Sequence, residues 1–420
     1  GAVNWERLVY PAVSLAGDGY RLTERQARSL ERLIEDARSK GYDATVEAFS
    51  RSGTPYAPGD VHRQPDLART LERIMRDGAD GFYRGETARL LAAEMRRGGG
   101  LITEDDLARY QARERAPIRS GFRGFEIISM PPPSSGGVAV AEMLNILEGF
   151  DLDAMGHNSA PYLHHLVEAM RRAYRDRALH LADPDYVDVP VHWLTSEEHA
   201  AGLRETIDPE QASTSRVADV AMSPESPETT HYSVVDGDGM AVSVTYTLEQ
   251  GFGSGITVPG AGFLLNNEMG DFNARPGLTN EQGLIGTRPN LARPGQRMLS
   301  SMTPSIVARD GELVAVVGSP GGRTIINTVL QVILNITEFG MGIQEAVDAP
   351  RIHHQWLPDV VSLEEEGLPY AIVRMLEGMG HTVRVRGRQG LAHSIMVDPS
   401  TGERVGAPDA RNPDSGAAGH

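Results

Sequence analysis

Cysteine is absent from all 420 residues, which removes disulfides, thiolate nucleophiles and Cys-ligated metals from consideration. Lysine is almost absent too: Lys40 stands alone, and every other cation is arginine. A Schiff base or a phosphate-binding lysine would have to use this one side chain, at the end of a charged helical stretch before Gly41. Basic residues as a class are outnumbered, 40 against 57 acidic, giving a net charge of −17 that repels a phosphate backbone. No nucleic-acid partner is expected. No apolar run approaches the length of a membrane span. The chain opens on Gly1 with no basic and apolar leader behind it, so a processed or truncated start is expected. Hydrophobic residues still make up 40%, enough for one large or two ordinary globular domains.

What is present changes character part-way along. Residues 1–181 read mainly as helices. Thr23 and Gln26 have capping-box spacing ahead of Leu30, Leu33 and Ile34. A second helix runs from Pro65 to Gly78, a third from Gly85 to Arg97, and Thr103 opens a short fourth. Phe125 to Met130 is a short apolar strand, followed by the Pro131–Gly137 turn and a helix over Val138–Leu147. Another helix covers 158–181, and 207–228 reads as an exposed loop rich in Ser and Pro. From Thr229 onward the pattern is strand-like. Turns at Asp236–Gly239, Asp310–Gly311 and Asp398–Gly402 predict antiparallel hairpins, with helices returning at about 324–339 and 342–348. Helical cover over antiparallel hairpins predicts an α+β sandwich of sheets rather than a βαβ array.

The seam between Glu228 and Thr229 is where the flexible stretch meets the first strand. A threonine there has the means to attack the Glu228 carbonyl, cut the chain and expose its own α-amine. Such an amine titrates near 8 and serves as the base that a hydroxyl nucleophile needs. Taken alone, most strand threonines are structural. Thr247, one hairpin away, is placed to support it. Gly321 and Gly322 lie in a turn between strand and helix, where backbone N–H groups suit an oxyanion. A P-loop is ruled out there by spacing and by Arg323 standing in the lysine position. Glu249, Glu268 and Asp271 form an acidic set suited to an ammonium group, and Ser300 and Ser301 offer hydroxyls to a carboxylate. His353-His354 has the wrong spacing for a shared metal and reads as packing.

These segments occur in a familiar order. Thr229–Asp236, Thr245–Thr247, Leu265–Phe272, Leu299–Met302 and Gly318–Gly322 resemble the small subunit of γ-glutamyltranspeptidases. Gly81–Gly85, Gly100–Leu107 and Pro131–Gly137 are similar to that family's large subunit. The resemblance implies the four-layer αββα fold of N-terminal nucleophile hydrolases. It implies autocleavage into chains 1–228 and 229–420, which stay paired as one structural domain. Thr229 would be the nucleophile, supported by Thr247, with Gly321 and Gly322 as oxyanion hole. Glu249, Glu268 and Asp271 would bind the donor α-amino group, and Ser300 and Ser301 its α-carboxylate. The implied reaction is ping-pong transfer of a γ-glutamyl group from glutathione to water or an amino-acid acceptor. No cofactor or metal is implied, and the implied location is periplasmic or extracellular.

Pro276–Arg297 matches the family's lid-loop region, with Gln282 where an aromatic gate residue is common. Set beside the family, the chain begins inside the large subunit, and the arginine that grips the donor carboxylate has no counterpart. Poor processing or turnover of this 420-residue piece is therefore expected unless the missing segment is supplied. Two other readings remain open at this point: a glutaryl (cephalosporin-type) acylase on the same scaffold, and an inert fragment that does not cut itself.

Overall fold

The computed structural model describes residues 2–216, 229–273, 285–365 and 367–419. The chain forms two compact units.

The first unit combines residues 1–114 with 250–267. Its helices start and stop where local chemistry dictates. Thr23 accepts a hydrogen bond from the Gln26 amide, Gln26 returns one to the Thr23 amide, and the Glu24–Lys40 helix ends at Gly41 in the left-handed region. The Pro65–Asp77 helix carries Pro65 in its first turn and stops at Gly78. The 250–267 segment is laced into these helices by buried hydrogen bonds. Thr45 Oγ1 donates to the Gly255 carbonyl at 2.8 Å, and Thr70 Oγ1 to that of Ala261, also at 2.8 Å. Leu91 and Ala88 bury with Val258 and Ala261.

The second unit, 115–249 with 268–420, is built on a six-stranded antiparallel sheet. Its order is Arg404–Ala407, Ser394–Val397, Glu312–Val317, Ser305–Arg309, Phe125–Ser129 and Ile118–Phe122. Asp310 and Gly311 turn the central hairpin with φ of 53° and 85°, the mirror-image turn whose twist matches the strands. Helices Gly136–Glu148 and Thr324–Thr337 pack on this sheet, Ala160–His180 packs on Gly136–Glu148, and their apolar residues join one large core. The α+β class expected from the sequence holds.

The hairpin Thr230–Val235 and Ala241–Tyr246 forms a separate two-stranded sheet. Its alternation is the half-buried pattern expected, but the polar set faces inward. His231 is buried and hydrogen-bonds Thr245 Oγ1 at 2.8 Å, Ser233 Oγ donates to the His393 carbonyl, and Ser243 Oγ to that of Val317. Tyr232, Val234, Val242 and Tyr246 are exposed. Hydrogen bonds to the larger sheet's end carbonyls decide which face turns in, because those acceptors would otherwise be buried unpaired.

Three buried histidines make the fold acid-sensitive. Burial pushes His353 down to about 4, His381 to about 4 and His231 to about 3. Neighbouring cations or histidines add to the fall at each. A folded value below the unfolded one near 6.5 means the unfolded chain binds protons first as pH drops. Their contribution is complete above about pH 6.5 and is lost on the way to pH 4, up to roughly 3 kcal/mol for each histidine. The melting temperature is expected to fall steeply over that window, and His381→Asn is expected to flatten the slope. A melting temperature level from pH 7 to 4 would contradict this account.

Candidate active site

Antiparallel register places the seam at a mouth. Thr230 pairs with Tyr246, so the next pair outward is Thr229 and Thr247. Both line a cleft together with Glu249, Asp271, Ser300, Ser301, Met302, Gly322 and Ile325. Residues more than 90 positions apart in sequence thus line one cleft.

Each wall has an identifiable support. The Thr247 hydroxyl accepts a hydrogen bond from the Glu249 amide at 2.9 Å, and Glu249 itself sits at φ 73° while nearly buried. A bulky residue in the left-handed region carries about 1–3 kcal/mol of strain. Gly270 comes close enough that a side chain there would meet the Glu249 carboxylate. The Asp271 carbonyl accepts from Asn290 Nδ2 at 2.7 Å, while Asn290 Oδ1 accepts from the Leu299 amide at 3.0 Å. Asn290 therefore ties the acidic wall to the serine wall.

Ser300 and Ser301 rest on the Pro131–Gly137 turn. The Ser300 carbonyl accepts from the Ser135 amide and hydroxyl at 2.8 and 2.7 Å, and the Ser300 amide donates to the Pro133 carbonyl at 3.0 Å. Gly136 permits this approach: a Cβ there would lie 2.5 Å from the Met302 carbonyl. Behind them, Arg177 on the Ala160–His180 helix donates to Ser135 Oγ at 2.8 Å and to Ser301 Oγ at 2.9 Å. Arg177 as a whole is 2% exposed. The cleft lining thus combines the carboxylates of Glu249 and Asp271 with the hydroxyls of Ser300 and Ser301, the latter backed by a buried cation, a donor set that fits a zwitterion.

Gly318–Arg323 connects strand Glu312–Val317 to helix Thr324–Thr337, and Gly322 of this turn lines the cleft. Gly321 has φ 136° and Gly322 φ 56°. A Cβ on Gly321 would lie 2.5 Å from Thr324 Oγ1, the group that donates to the Gly321 carbonyl at 2.7 Å.

With this geometry in view, relatives can be compared. A sequence model of the gamma-glutamyltranspeptidase family matches residues 1–419. The glutathione hydrolase proenzyme of Escherichia coli K12 is 43% identical over 422 residues, covering 100% of this chain and 72% of that protein. The chain belongs to the gamma-glutamyltranspeptidase family. The proenzyme of the same name from Pseudomonas sp. A14 is 43% identical over 98% of this chain and 71% of its own length. Among solved structures, the cephalosporin acylase of Bacillus halodurans superposes with a TM-score of 0.86 at 28% identity, over 100% of this chain and 75% of that one.

For this family member, the cleft lining gathers Thr229, Thr247, Glu249, Asp271, Ser300, Ser301 and Gly322 of the residues expected from the sequence. Glu268 and Gly321 are not among the lining residues; Glu268 opens the Glu268–Asp271 turn and Gly321 lies one residue from the lining. Glu228 and Gln282 lie outside the described residues, as does 276–284 of the lid-loop region. Arg177 and Asn290 were not anticipated. Arg177 sits in the run Arg171–Arg177, whose charge density reads as a solvated face. His353 and His354 pack as expected, the first against Asn327 and Gln355, the second against Asp359.

The loop leading toward the seam lacks regular structure over 207–216, as expected, but it is pinned. Glu168 Oε1 accepts from the Ser213 amide at 3.1 Å, and Asp359 Oδ2 from that of Ser215 at 2.8 Å. Burial alone would raise the Glu168 carboxyl, but Arg171, Ser213 and Arg172 outweigh it and hold it at about 2.

Removing the buried guanidinium tests the serine wall. Arg177→Met is expected to raise KM for an α-amino-acid donor by roughly 10–100-fold with a smaller change in kcat, since a charge-assisted hydrogen bond is worth about 1.5–3 kcal/mol. Initial-rate kinetics read the split, and an unchanged KM would remove Arg177 from the site.

Proposed function

We propose that this chain is an autoprocessing acyl-transfer enzyme that cleaves the γ-glutamyl amide of glutathione and related compounds. The observation that carries the reading is the cleft in which Thr229 meets an acidic wall and a hydroxyl wall. Glu249 and Asp271, with Glu268 from the Glu268–Asp271 turn, hold the donor ammonium; Ser300 and Ser301, backed by Arg177, hold its carboxylate. The γ-carbonyl then lies against Thr229, and Gly321 and Gly322 present N–H groups to its oxygen. Thr229 adds through its hydroxyl, passing the proton to its own α-amine, and the amine leaving group departs with that proton. Water or an amino-acid acceptor releases the γ-glutamyl ester in the second half-reaction.

Cleavage at Glu228–Thr229 makes a chain of 1–228 and one of 229–420. Both compact units draw on both pieces. Segment 250–267 is bound among the helices of residues 1–114, and strand Phe125–Ser129 pairs with Ser305–Arg309 from Glu126↔Ala308 to Ser129↔Ser305. The two chains therefore stay together without a covalent link and separate only on denaturation.

A denaturing gel with N-terminal sequencing of the smaller band tests this: two bands that co-elute on native size exclusion, the smaller beginning at Thr229, are expected. One persistent band would support an inert fragment. The acylase reading draws on the Bacillus halodurans structure and on a 37% identical acylase ACY 1 proenzyme from Pseudomonas sp. SE83. A glutaryl side chain carries no ammonium to meet Glu249 and Asp271, so a γ-glutamyl amide is expected to outrun a glutaryl amide. The reverse preference would overturn the assignment. Export to the periplasm or beyond is proposed from family membership; among the described residues no helix is long and apolar enough to cross a membrane. Cell fractionation checks it.

A further inference from the structure

Three helices of the second unit converge on a cluster that the proposed chemistry does not use. Glu142 comes from Gly136–Glu148, Asp176 from Ala160–His180 and His199 from Glu197–Arg204. One ligand-type atom from each lies within 4.8 Å of the other two. His199 Nε2 is 2.7 Å from Asp176 Oδ2 and 3.8 Å from Glu142 Oε1. Three ligands at about 2.0–2.1 Å from a tetrahedral metal stand about 3.3 Å apart, so these two spacings bracket the requirement.

A second observation points the same way. Glu142 is 1% exposed, and its Oε1, aimed at His199, has no hydrogen-bond partner. A buried carboxylate oxygen left unpaired is costly unless something neutralises it.

We propose that Glu142, Asp176 and His199 bind one divalent cation of the zinc class. Two carboxylates and an imidazole are the ligand types that borderline cations such as Zn²⁺ and Co²⁺ take, with a fourth position left for water. The cation braces the three helices, and Asp176 immediately precedes Arg177, so the brace steadies the helix that supports the serine wall. Arg175, an exposed side chain 3.6 Å from Asp176 Oδ1, and His180 are the nearby basic groups. A second triad, His164, Glu168 and His381, is a poor competitor. Glu168 already receives Arg171, Arg172 and the Ser213 amide, and those two guanidiniums repel a cation.

Trp193 supplies a local reporter, its ring centroid 3.8 Å from that of His199. Titration of the purified full chain with Zn²⁺ by calorimetry is expected to show one saturable equivalent. Co²⁺ is expected to quench tryptophan emission with the same stoichiometry, a signal absent from Trp193→Phe. Glu142→Gln keeps the shape of the side chain, and it and His199→Asn are each expected to weaken Zn²⁺ binding by at least about 10-fold, while His381→Asn leaves it unchanged. Absence of saturable binding up to about 1 mM Zn²⁺ in the parent chain, or affinity that survives either Glu142→Gln or His199→Asn, would overturn the proposal. Circular dichroism of each variant keeps misfolding from passing as lost affinity.

Discussion

Thr229→Ala is expected to leave the chain as a single band of 45.5 kDa on a denaturing gel, with turnover of a γ-glutamyl amide reduced by at least about 10⁴-fold. The substitution removes two things at once. Without the hydroxyl nothing attacks the Glu228 carbonyl, so the chain is not cut. In an uncut chain the nitrogen of residue 229 remains an amide, so the base disappears with the nucleophile. Thr229→Ser keeps a hydroxyl and is expected to cut and turn over, more slowly because serine lacks the methyl that restricts χ1. The pH dependence separates this base from its neighbour. A neutral α-amine is required, so kcat/KM is expected to fall as pH drops through about 8. His231, two residues away, is held neutral by burial at about 3 and adds no limb above pH 5. An alanine variant that still yields two bands would remove Thr229 from both roles.

The second large effect concerns the Gly321–Gly322 turn. Gly321→Ala is expected to lower kcat by about 10²–10³-fold, the loss typical of one oxyanion donor. At φ 136° the new side chain is strained, and its Cβ would lie 2.5 Å from Thr324 Oγ1 and 3.3 Å from the Gly390 backbone. Relief requires rotating the Gly321–Gly322 peptides, which swings their N–H groups off the carbonyl oxygen. Far-ultraviolet circular dichroism and a melting temperature within a few degrees of the parent would show that the fold survives. Rates close to the parent's with an intact fold would place the oxyanion donors elsewhere. Thr324→Ser tests the same contact from the other side, since it keeps the hydroxyl that donates to the Gly321 carbonyl, and it is expected to be nearly silent.

Local signals account for most of what could be read before the structure. Thr23 with Gln26, Thr103 with Asp106, Gly41 and Gly78 after their helices, and the Asp-Gly turn at 310–311 all act over four residues or fewer, so the chain states them outright. The parallel pairing of Val361–Leu363 with Val383–Val385 was not anticipated, because three-residue strands carry too little alternation to be seen.

At the cleft, Thr229, Thr247, Glu249, Asp271, Ser300, Ser301 and Gly322 were legible through the order of their motifs. Arg177 was not. In sequence it is one charge among several on a basic helix, and only packing reveals that it lies beneath Ser135 and Ser301. Asn290 was hidden for the same reason, since its two anchors, the Asp271 carbonyl and the Leu299 amide, are 19 and 9 residues away.

The amino-acid sequence alone determined the class of fold, singled out Thr229 as the candidate nucleophile, excluded thiol chemistry and confined lysine chemistry to Lys40, because composition and short-range spacing carry those facts. Tertiary structure alone decided which hairpin face turns inward, which charges are buried, and that Glu142, Asp176 and His199 meet in one cluster among three helices. Each of those depends on contacts between distant segments, whose energies are set by burial and hydrogen-bond geometry rather than by any neighbour in the chain.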